Sequence, residues 1–361
     1  MVDVRLLKQS ILGLALFVAI GSHSLGNLSA AEPSKARLAE MIKKAAQEGE
    51  VVYQGPDPAT GLPTPDMVRD MGAVTEAHFG VKVRVKFEPA PTFPAASAKA
   101  LTEIKAGGPP TFDLMYQTDM SGAALYREKA IEPVAWLDLF AHITPKDLEW
   151  NGLAVINTSY VLMPAYNTSL VKPQDVPKTW EDILDPKWKS KVGLVLVPEP
   201  WIMFSQPSAW GEQKTFAYLD RLLGLSPKLG RYPEVLQRLV SGETPLAWVS
   251  QRERTLSYKE QQRAPVDVAG KVEPVLVQTN LLFVPKGARR PNAAALVAAA
   301  MLTKEGQELQ LKYQNLTSMY RPNTPAAEFT SRTKVVKIAA AYFQQKGPEL
   351  MKKVSDILIK K

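Results

Sequence analysis

Residues 81–116 read VKVRVKFEPAPTFPAASAKALTEIKAGGPPTFDLMY and contain a complete strand–helix–strand unit. Apolar and charged side chains alternate over residues 81–88, which is the pattern of a half-buried strand. A helical pattern begins at Pro94 and stops at Gly107, and residues 112–116 return to a strand pattern. The stretch therefore predicts a βαβ unit, which in turn predicts a mostly parallel sheet.

The same alternation extends in both directions from this unit. Strands are predicted at residues 51–53, 155–163, 192–197 and 274–284, and helices at residues 34–49 (with a cap at Ser34), 67–80, 121–129, 215–223, 233–240 and 293–301. At 361 residues, the chain exceeds the size at which one hydrophobic core usually divides into two. Because the sequence has no internal repeat and no low-complexity linker, we predict two α/β lobes joined by strands that cross between them.

The composition excludes several kinds of chemistry. The chain has no cysteine and three histidines, His23, His78 and His142. Disulfides, thiolate nucleophiles, iron–sulfur clusters and cysteine-ligated zinc are therefore excluded. Phosphate-binding glycine loops, dinucleotide fingerprints and the G-x-S-x-G and H-E-x-x-H motifs are absent as well. No pair of carboxylates is spaced as a general acid and base, so we predict no catalytic residue, no metal ligand and no cofactor.

The first residues are typical of an exported protein. Basic Arg5 and Lys8 precede the apolar run ILGLALFVAI at residues 11–20, and a stretch of small residues ends at Ala31. This order predicts a cleavable signal peptide over residues 1–31. The apolar run is too short for a transmembrane helix, which needs ~20 residues. Because no cysteine is present to carry a lipid anchor, we expect the mature protein to diffuse freely in the periplasm.

The formal net charge of +8 does not by itself predict nucleic-acid binding. The basic residues are spread along the chain, and the densest group, between Lys352 and Lys361, lies on an amphipathic C-terminal helix. We therefore expect no nucleic-acid partner. We also expect the protein to be a monomer. A basic balance still favours an anionic ligand in a cleft.

Polar residues follow two predicted strands at the place where an open α/β sheet binds its ligands. In such sheets the site lies beyond the carboxyl ends of the strands. Gln54 and Gly55 follow one strand, and Gln117, Thr118 and Asp119 follow another. Turn chemistry explains each residue equally well alone, but their shared placement favours ligand contacts.

An ordered series of motifs resembles the type 2 periplasmic solute-binding proteins of ABC importers. The branch that it resembles most contains the ferric-iron, thiamine, polyamine and phosphonate binders. Each motif is weak alone, but together they follow the family's order over nearly all of residues 45–310. The matching segments are EGEVVY at 48–53, FGVKV at 79–83, KAGGPP at 105–110, FDL at 112–114, IEP at 131–133, YNTSLVKP at 166–173, PKTWEDILDPKW at 177–188, GETPL at 242–246 and KEGQ at 304–307.

The resemblance implies a two-lobe α/β fold in which each lobe is a mixed sheet flanked by helices and crossing strands form the hinge. Lobe 1 would comprise residues 32–158 and 276–325, and lobe 2 residues 159–275 and 326–361. The resemblance also implies that a small solute binds in the cleft, that the lobes close over it, and that membrane subunits of the importer bind the closed form. Tyr166 would lie near the crossing.

One departure from the family bears on the ligand. Ferric-binding members have two adjacent tyrosines shortly after the segment at residues 242–246, since phenolates are hard oxygen donors for Fe³⁺. Here that pair falls on Arg252 and Glu253. A cation there would repel a metal, so we expect an organic solute that is anionic or zwitterionic. Arg252 or Arg254 would hold its carboxylate or phosphonate through a bidentate contact.

Aromatic residues complete the predicted site. Trp201 and Trp248 would enclose an organic ligand, although large aromatic residues belong to the core more often than not. The full set of predicted ligand-binding residues is Gly55, Thr118, Asp119, Tyr166, Trp201, Trp248, Ser250 and Arg252.

Other functions stay open from the sequence. One is a ferric-ion-binding protein of an iron importer, as in some members of the branch. Another, from a different class, is an exported enzyme that uses carboxylates alone. A protein that presents its ligand to a sensor would have the same sequence features as an importer component.

Overall fold

A computed structural model describes residues 25–56 and 63–359. Helices and strands alternate along these residues, as the sequence pattern predicts. The α-helices, named α1 to α13 in chain order, are Leu25–Glu48, Pro65–Phe79, Phe93–Lys105, Ala123–Arg127, Trp136–Leu139, Glu199–Ser205, Glu212–Gly224, Tyr232–Ser241, Arg252–Gln262, Pro291–Met301, Lys304–Gln314, Pro325–Thr330 and Ala340–Ile359. The strands, named β1 to β11, are Glu50–Gln54, Arg84–Phe87, Leu114–Thr118, Leu148–Glu149, Ala154–Asn167, Val192–Val195, Lys228–Gly230, Leu246–Gln251, Val266–Val268, Val275–Phe283 and Val335–Lys337.

The strands belong to one mixed sheet, whose main path has the order β2-β1-β3-β10-β5-β8-β6-β7. β1 is parallel to β2 and β3, and β6 is parallel to β7 and β8. Every antiparallel ladder among the described strands involves β5 or β10. The prediction of a mostly parallel sheet was therefore wrong for the molecule as a whole, because β5 is antiparallel to each of its partners and β10 is antiparallel to β3 and β5.

Two hydrophobic regions lie at opposite ends of β5 and β10. On β5, Val155 belongs to the core that includes α2 and α10, whereas Leu162 belongs to the core that includes α6 and α7. On β10, Leu282 and Leu276 are divided between the same two cores. The two strands thus cross from one lobe to the other, and the predicted two-lobe α/β fold is confirmed. The exact lobe boundaries stay a prediction.

A β-bulge interrupts the ladder between the crossing strands. Asn280 pairs with Thr158 and Leu281 pairs with Ile156, so Asn157 is an extra residue on β5. A bulge bends its strand and increases the local twist. The bulge lies between the two cores and marks a bend where the lobes meet.

Side-chain caps precede α2 and α3 in lobe 1. Thr64 accepts a hydrogen bond from the Met67 backbone N–H at 3.1 Å and begins α2. Thr92 accepts one from the Ala95 N–H at 3.2 Å and caps α3, which begins at Phe93, one residue before the predicted start at Pro94. Such caps satisfy N–H groups that have no partner within the helix.

The start of α1 differs from the prediction. The helix begins at Leu25, so Ser34 lies within it and does not cap it. The residues before Ser34 include Ala30 and Ala31, and alanine favours a helix strongly. Most of the predicted signal peptide, residues 1–24, lies outside the described residues. Among the residues that are described, no helix is both long enough and apolar enough to cross a membrane.

Candidate functional site

A cavity of about 250 Å³ lies between the two lobes, and we call it the interlobe cavity. Lobe 1 contributes the segments around the end of β1 and the end of α11, lobe 2 contributes the start of α9, and the crossing strand β5 contributes a tyrosine. The lining residues are Pro56, Pro63, Tyr160, Gln251, Glu253, Arg254, Ser257, Tyr258, Tyr313, Gln314, Asn315 and Leu316. A solute in this cavity would touch both lobes and the strand between them.

Uncharged hydrogen-bonding groups make up most of this lining. Tyrosine and serine hydroxyls and side-chain amides both donate and accept hydrogen bonds. They come from Tyr160, Gln251, Ser257, Tyr258, Tyr313, Gln314 and Asn315. The only charged side chains among the described lining residues are Glu253 and Arg254.

Asn315 joins the two lobes at the edge of the cavity. Its Nδ2 donates to the Ser257 hydroxyl at 3.3 Å, and its Oδ1 accepts from Nε2 of Gln261 at 3.4 Å. Asn315 follows α11 in the left-handed conformation, with φ of 55°, which asparagine adopts more readily than most residues. Rotation of the lobes would change both contacts.

The carboxyl group of Glu253 is engaged by the protein itself. Its Oε2 accepts the Val161 backbone N–H at 3.1 Å, and its Oε1 accepts from Arg252 at 3.4 Å. Burial raises the pKa of Glu253, although Arg252 acts in the opposite direction. The group therefore ties α9 to β5 at the crossing.

A polar cluster lies on the crossing strands beside the cavity. The hydroxyl of Tyr116 contacts the Thr158 hydroxyl at 3.0 Å, and Asn280 donates to the same threonine at 3.0 Å. Gln314, which lines the cavity, accepts from Tyr116 at 3.5 Å. Burial raises the pKa of Tyr116 well above its usual value, so this phenol stays neutral.

Two predicted residues, Ser250 and Arg252, flank the cavity but do not line it. Ser250 bonds the Thr255 hydroxyl at 2.8 Å. The guanidinium of Arg252 stacks over the ring of Phe329, 4.2 Å from its centroid. Arg254, the alternative cation predicted from the sequence, does line the cavity.

Trp201 and Trp248 lie in the core of lobe 2. Their rings stack at 3.9 Å with an angle of 10° between the planes, and neither side chain reaches solvent. Trp180 and Tyr218 pack against this pair. The structure explains both tryptophans by packing, and their predicted contact with a ligand stays a prediction.

Three more predicted residues lie at the ends of β1 and β3 in lobe 1. Gly55 ends β1 against Pro63 and Phe87. The hydroxyl of Thr118 forms a turn with Ser121, at 2.8 Å. Asp119 is buried and accepts a hydrogen bond from the Thr279 hydroxyl at 3.0 Å.

Tyr166 lies at the far end of β5. It pairs with Leu246 and Asp267, six residues beyond Tyr160. At the usual rise of a strand this separation is about 20 Å. The residue is therefore remote from the interlobe cavity, whereas the resemblance led us to expect it near the crossing.

Within residues 25–56 and 63–359, no group of three or more histidine and acidic side chains is arranged to hold a metal ion. Two histidines do approach each other on lobe 1, with 5.0 Å between the ring centroids of His78 and His142. Nε2 of His142 bonds the Ala299 carbonyl at 2.9 Å. Burial lowers the pKa of His142, which favours the neutral ring.

Sequence reasoning missed Tyr160, although the pattern held a signal for it. Tyr160 is one of two residues that are only half-buried in the otherwise buried strand β5. A tyrosine in the middle of a long apolar run indicates a position where one face of the strand is partly exposed. Gln314 and Asn315 carried no such signal, because they are ordinary residues at the end of a helix.

A sequence profile that spans both lobes and most of the lining of the interlobe cavity gives the family assignment. The sequence profile described as bacterial extracellular solute-binding protein matches residues 71–339, which include both crossing strands and the described cavity lining from α9 and α11. This chain belongs to that family. The resemblance to type 2 solute-binding proteins is therefore confirmed.

Solved structures share the fold of this solute-binding protein. Iron-bound HitA from Pseudomonas aeruginosa has a TM-score of 0.66 at 18% identity, covering 84% of this chain and 99% of HitA. AfuA from Actinobacillus pleuropneumoniae, with fructose-6-phosphate bound, has a TM-score of 0.64 at 22% identity, covering 85% of this chain and 98% of AfuA. At such identities the likeness shows the fold and not the solute.

A curated relative matches part of the sequence. It is a protein of Haemophilus influenzae described as uncharacterized, and it is 26% identical over 179 residues. The match covers 45% of this chain and 49% of the relative. The chain thus spans about half the length of the curated relative that it matches.

Proposed function

We propose that this solute-binding protein captures a small anionic or zwitterionic organic solute in the interlobe cavity and delivers it, unaltered, to the membrane subunits of an ABC importer. The observation that carries this proposal is the cavity's position, because its lining comes from both lobes and from crossing strand β5. A solute bound there stabilises the lobe arrangement that contacts it best.

The charge of the lining supports an anionic group on the solute. Arg254 brings a guanidinium to the cavity. The carboxyl of Glu253 accepts hydrogen bonds from Val161 and Arg252. A guanidinium forms paired hydrogen bonds with a carboxylate or phosphonate. The uncharged hydroxyls and amides suit the polar remainder of such a molecule.

In this proposal, the sequence-predicted residues act at different distances from the solute. Arg254, Tyr160 and Gln251 contact it directly. Ser250 and Arg252 hold the start of α9, through Thr255 and Phe329. The other predicted residues would shape the two lobes around the cavity, and they are Gly55, Thr118, Asp119, Tyr166, Trp201 and Trp248.

The remaining features follow from the same role. We infer that the chain is exported with cleavage after Ala31, acts in the periplasm as a monomer, and has no nucleic-acid partner and no enzymatic activity. The lobes would divide at the predicted boundaries, with residues 32–158 and 276–325 in lobe 1. Such a protein needs only the solute and the importer as partners.

A thermal-shift screen tests the proposal directly. Carboxylates, phosphonates, sugar phosphates, amines and thiamine are added in turn, and at least one anionic or zwitterionic compound should raise the melting temperature. Arg254→Met should abolish that shift, whereas Arg332→Met, which removes an exposed arginine in another region, should preserve it. A full panel without any shift, or a shift by amines alone, would contradict the proposal.

Ferric iron is a second candidate, because three tyrosines line the interlobe cavity: Tyr160, Tyr258 and Tyr313. The hydroxyl of Tyr313 donates to Asp70 at 2.6 Å, and Arg254 adds a positive charge that opposes a metal ion. We therefore expect titration with ferric citrate to leave the protein colourless. A visible phenolate-to-iron absorption band would favour iron over the organic solute.

A further inference from the structure

Strands from the two lobes meet end to end on one edge of β10. Lys337, at the end of β11, pairs with Val277, and Thr118, at the end of β3, pairs with Asn280. β3 belongs to lobe 1, whereas Val336 on β11 packs in the core of lobe 2. The two strand ends are thus separated by a short length of crossing strand, so rotation of the lobes changes the contacts between them.

An ion pair spans this junction. The ammonium group of Lys337 contacts the carboxylate of Glu149, which lies on β4 in lobe 1. Their side chains are only 22% and 14% exposed. Lys337 also lies 5.8 Å from the ring centroid of Tyr320. Because water is largely excluded, the attraction between the two charges exceeds that of a surface pair.

A third titratable side chain, Asp119, is buried beside this pair. Its Oδ2 accepts from the Thr279 hydroxyl at 3.0 Å, while its Oδ1 is buried without a hydrogen-bond partner among the described residues. The side chain borders a void of about 10 Å³, which is near the space that one water molecule needs. Ile338 and Phe343 of lobe 2 close this void. Lobe 2 therefore covers a carboxyl group of lobe 1.

The titratable groups that face Asp119 are Lys337 from β11, Glu149 from β4 and Tyr126 from α4. Burial raises the pKa of Asp119 to about 7. Lys337 and the Thr279 hydrogen bonds lower it, and Glu149 raises it further. A hydrated aspartate is ionised well below that pH. Near neutral pH, the buried carboxyl therefore retains a proton that it would lose in water.

We propose that Asp119, Glu149 and Lys337 form a proton-dependent latch that holds the two lobes in the observed arrangement. When Asp119 ionises, its carboxylate lies beside that of Glu149 in a place that water does not reach, which is unfavourable. Movement of lobe 2 away from the junction lets water reach it and separates Lys337 from Glu149. The latch rests on the lobe motion of the proposed function but needs no bound solute.

The direction of the pH effect follows from proton linkage. The latched arrangement holds Asp119 at the higher pKa, so it binds more protons than an arrangement in which Asp119 is hydrated. The state that binds more protons becomes more populated as the pH falls. The latched arrangement is therefore favoured in acid and loses its advantage as the pH rises to about 7.

Spin-label distances between the lobes test the latch without any solute. The chain has no cysteine, so Lys82→Cys in lobe 1 and Ala217→Cys in lobe 2 provide the only labelling sites. Pulsed electron paramagnetic resonance compares the distances at about pH 5.5 and about pH 8.5, a range that crosses the titration. We expect a second distance population at the higher pH, with at least about a tenfold change in the ratio of the two populations.

Variants separate the latch from general effects of pH. In the labelled protein, Asp119→Asn should remove the pH response, and Lys337→Met should populate the second distance at both pH values. Lys259→Met breaks an ion pair with Asp267, 2.7 Å long and within lobe 2, and should behave like the parent. Circular dichroism checks the folding of each variant. Glu149→Gln removes the same interlobe pair if Lys337→Met does not fold.

The latch is wrong if the labelled parent gives the same distances at both pH values, or if Asp119→Asn keeps the pH response. Either result would leave the proposed function standing as long as the thermal-shift screen finds a solute. If the screen finds no solute but the distance still depends on pH, the latch stands and the proposed function is contradicted.

Discussion

At the level of single residues, Gly55 lies where the space for a side chain is already filled. A Cβ here would lie 2.6 Å from Cγ of Pro63 and 2.9 Å from the ring of Phe87. We expect Gly55→Ala to lower the free energy of unfolding by about 1–3 kcal/mol, the usual cost of overpacking. Urea denaturation measures this change. Gly270→Ala should have little effect, because no atom lies within 4 Å of a Cβ there.

Arg321 and Asp147 form a buried ion pair within lobe 1. Nε of Arg321 donates to Asp147 at 2.9 Å, and its Nη1 donates to the His142 carbonyl at 2.6 Å. Asp147 is fully buried, so Arg321→Met should cost about 3–5 kcal/mol by leaving that charge unpaired. The exposed Arg332 is the matched control, and Arg332→Met should cost less than about 1 kcal/mol. Equal urea midpoints for the two variants would contradict this account.

At the level of secondary structure, the Thr92 cap fixes where α3 begins. Its hydroxyl accepts the Ala95 N–H at 3.2 Å, which Thr92→Ala removes at a cost of about 1 kcal/mol. Thr102 lies in the same helix but bonds the Ala98 carbonyl, so Thr102→Ala should be neutral or slightly stabilising. Thermal unfolding of the two variants compares them. A loss for Thr102→Ala as large as that for Thr92→Ala would show that the cap has no special role.

The secondary elements were easier to predict than the site, for physical reasons. Alternation and glycine or proline stops are local, and they located α3, β3 and most of β5. The orientation of β8 is not local, because all six of its residues are buried. When both faces of a strand are covered, periodicity cannot tell which face meets a ligand. The predicted contact of Trp248 with a ligand therefore could not be assigned to a face from the sequence, and in the structure its ring stacks on Trp201.

At the level of the whole molecule, the interlobe cavity depends on segments far apart in the chain. Tyr160 on β5, Arg254 on α9 and Asn315 after α11 meet only because β5 and β10 cross between the lobes. The family's motif order predicted this architecture, because the order of the strands and helices can be read directly from the sequence. The cavity lining was not predictable in the same way, because contacts across a hinge depend on how two folded lobes pack.

Hydrogen exchange of the whole protein tests whether a solute bridges the lobes. The start of α9 in lobe 2 and the end of α11 in lobe 1 both line the interlobe cavity. A solute held between them must slow amide exchange in both segments, because it stabilises the arrangement in which both are covered. α7 does not line the cavity and serves as the internal control. With the solute selected by the thermal-shift screen, mass spectrometry should therefore show protection at α9 and α11 together, and Arg254→Met should lose both. Protection of one lobe alone would mean that the solute binds a surface of that lobe, and the interlobe cavity would then have no part in its capture.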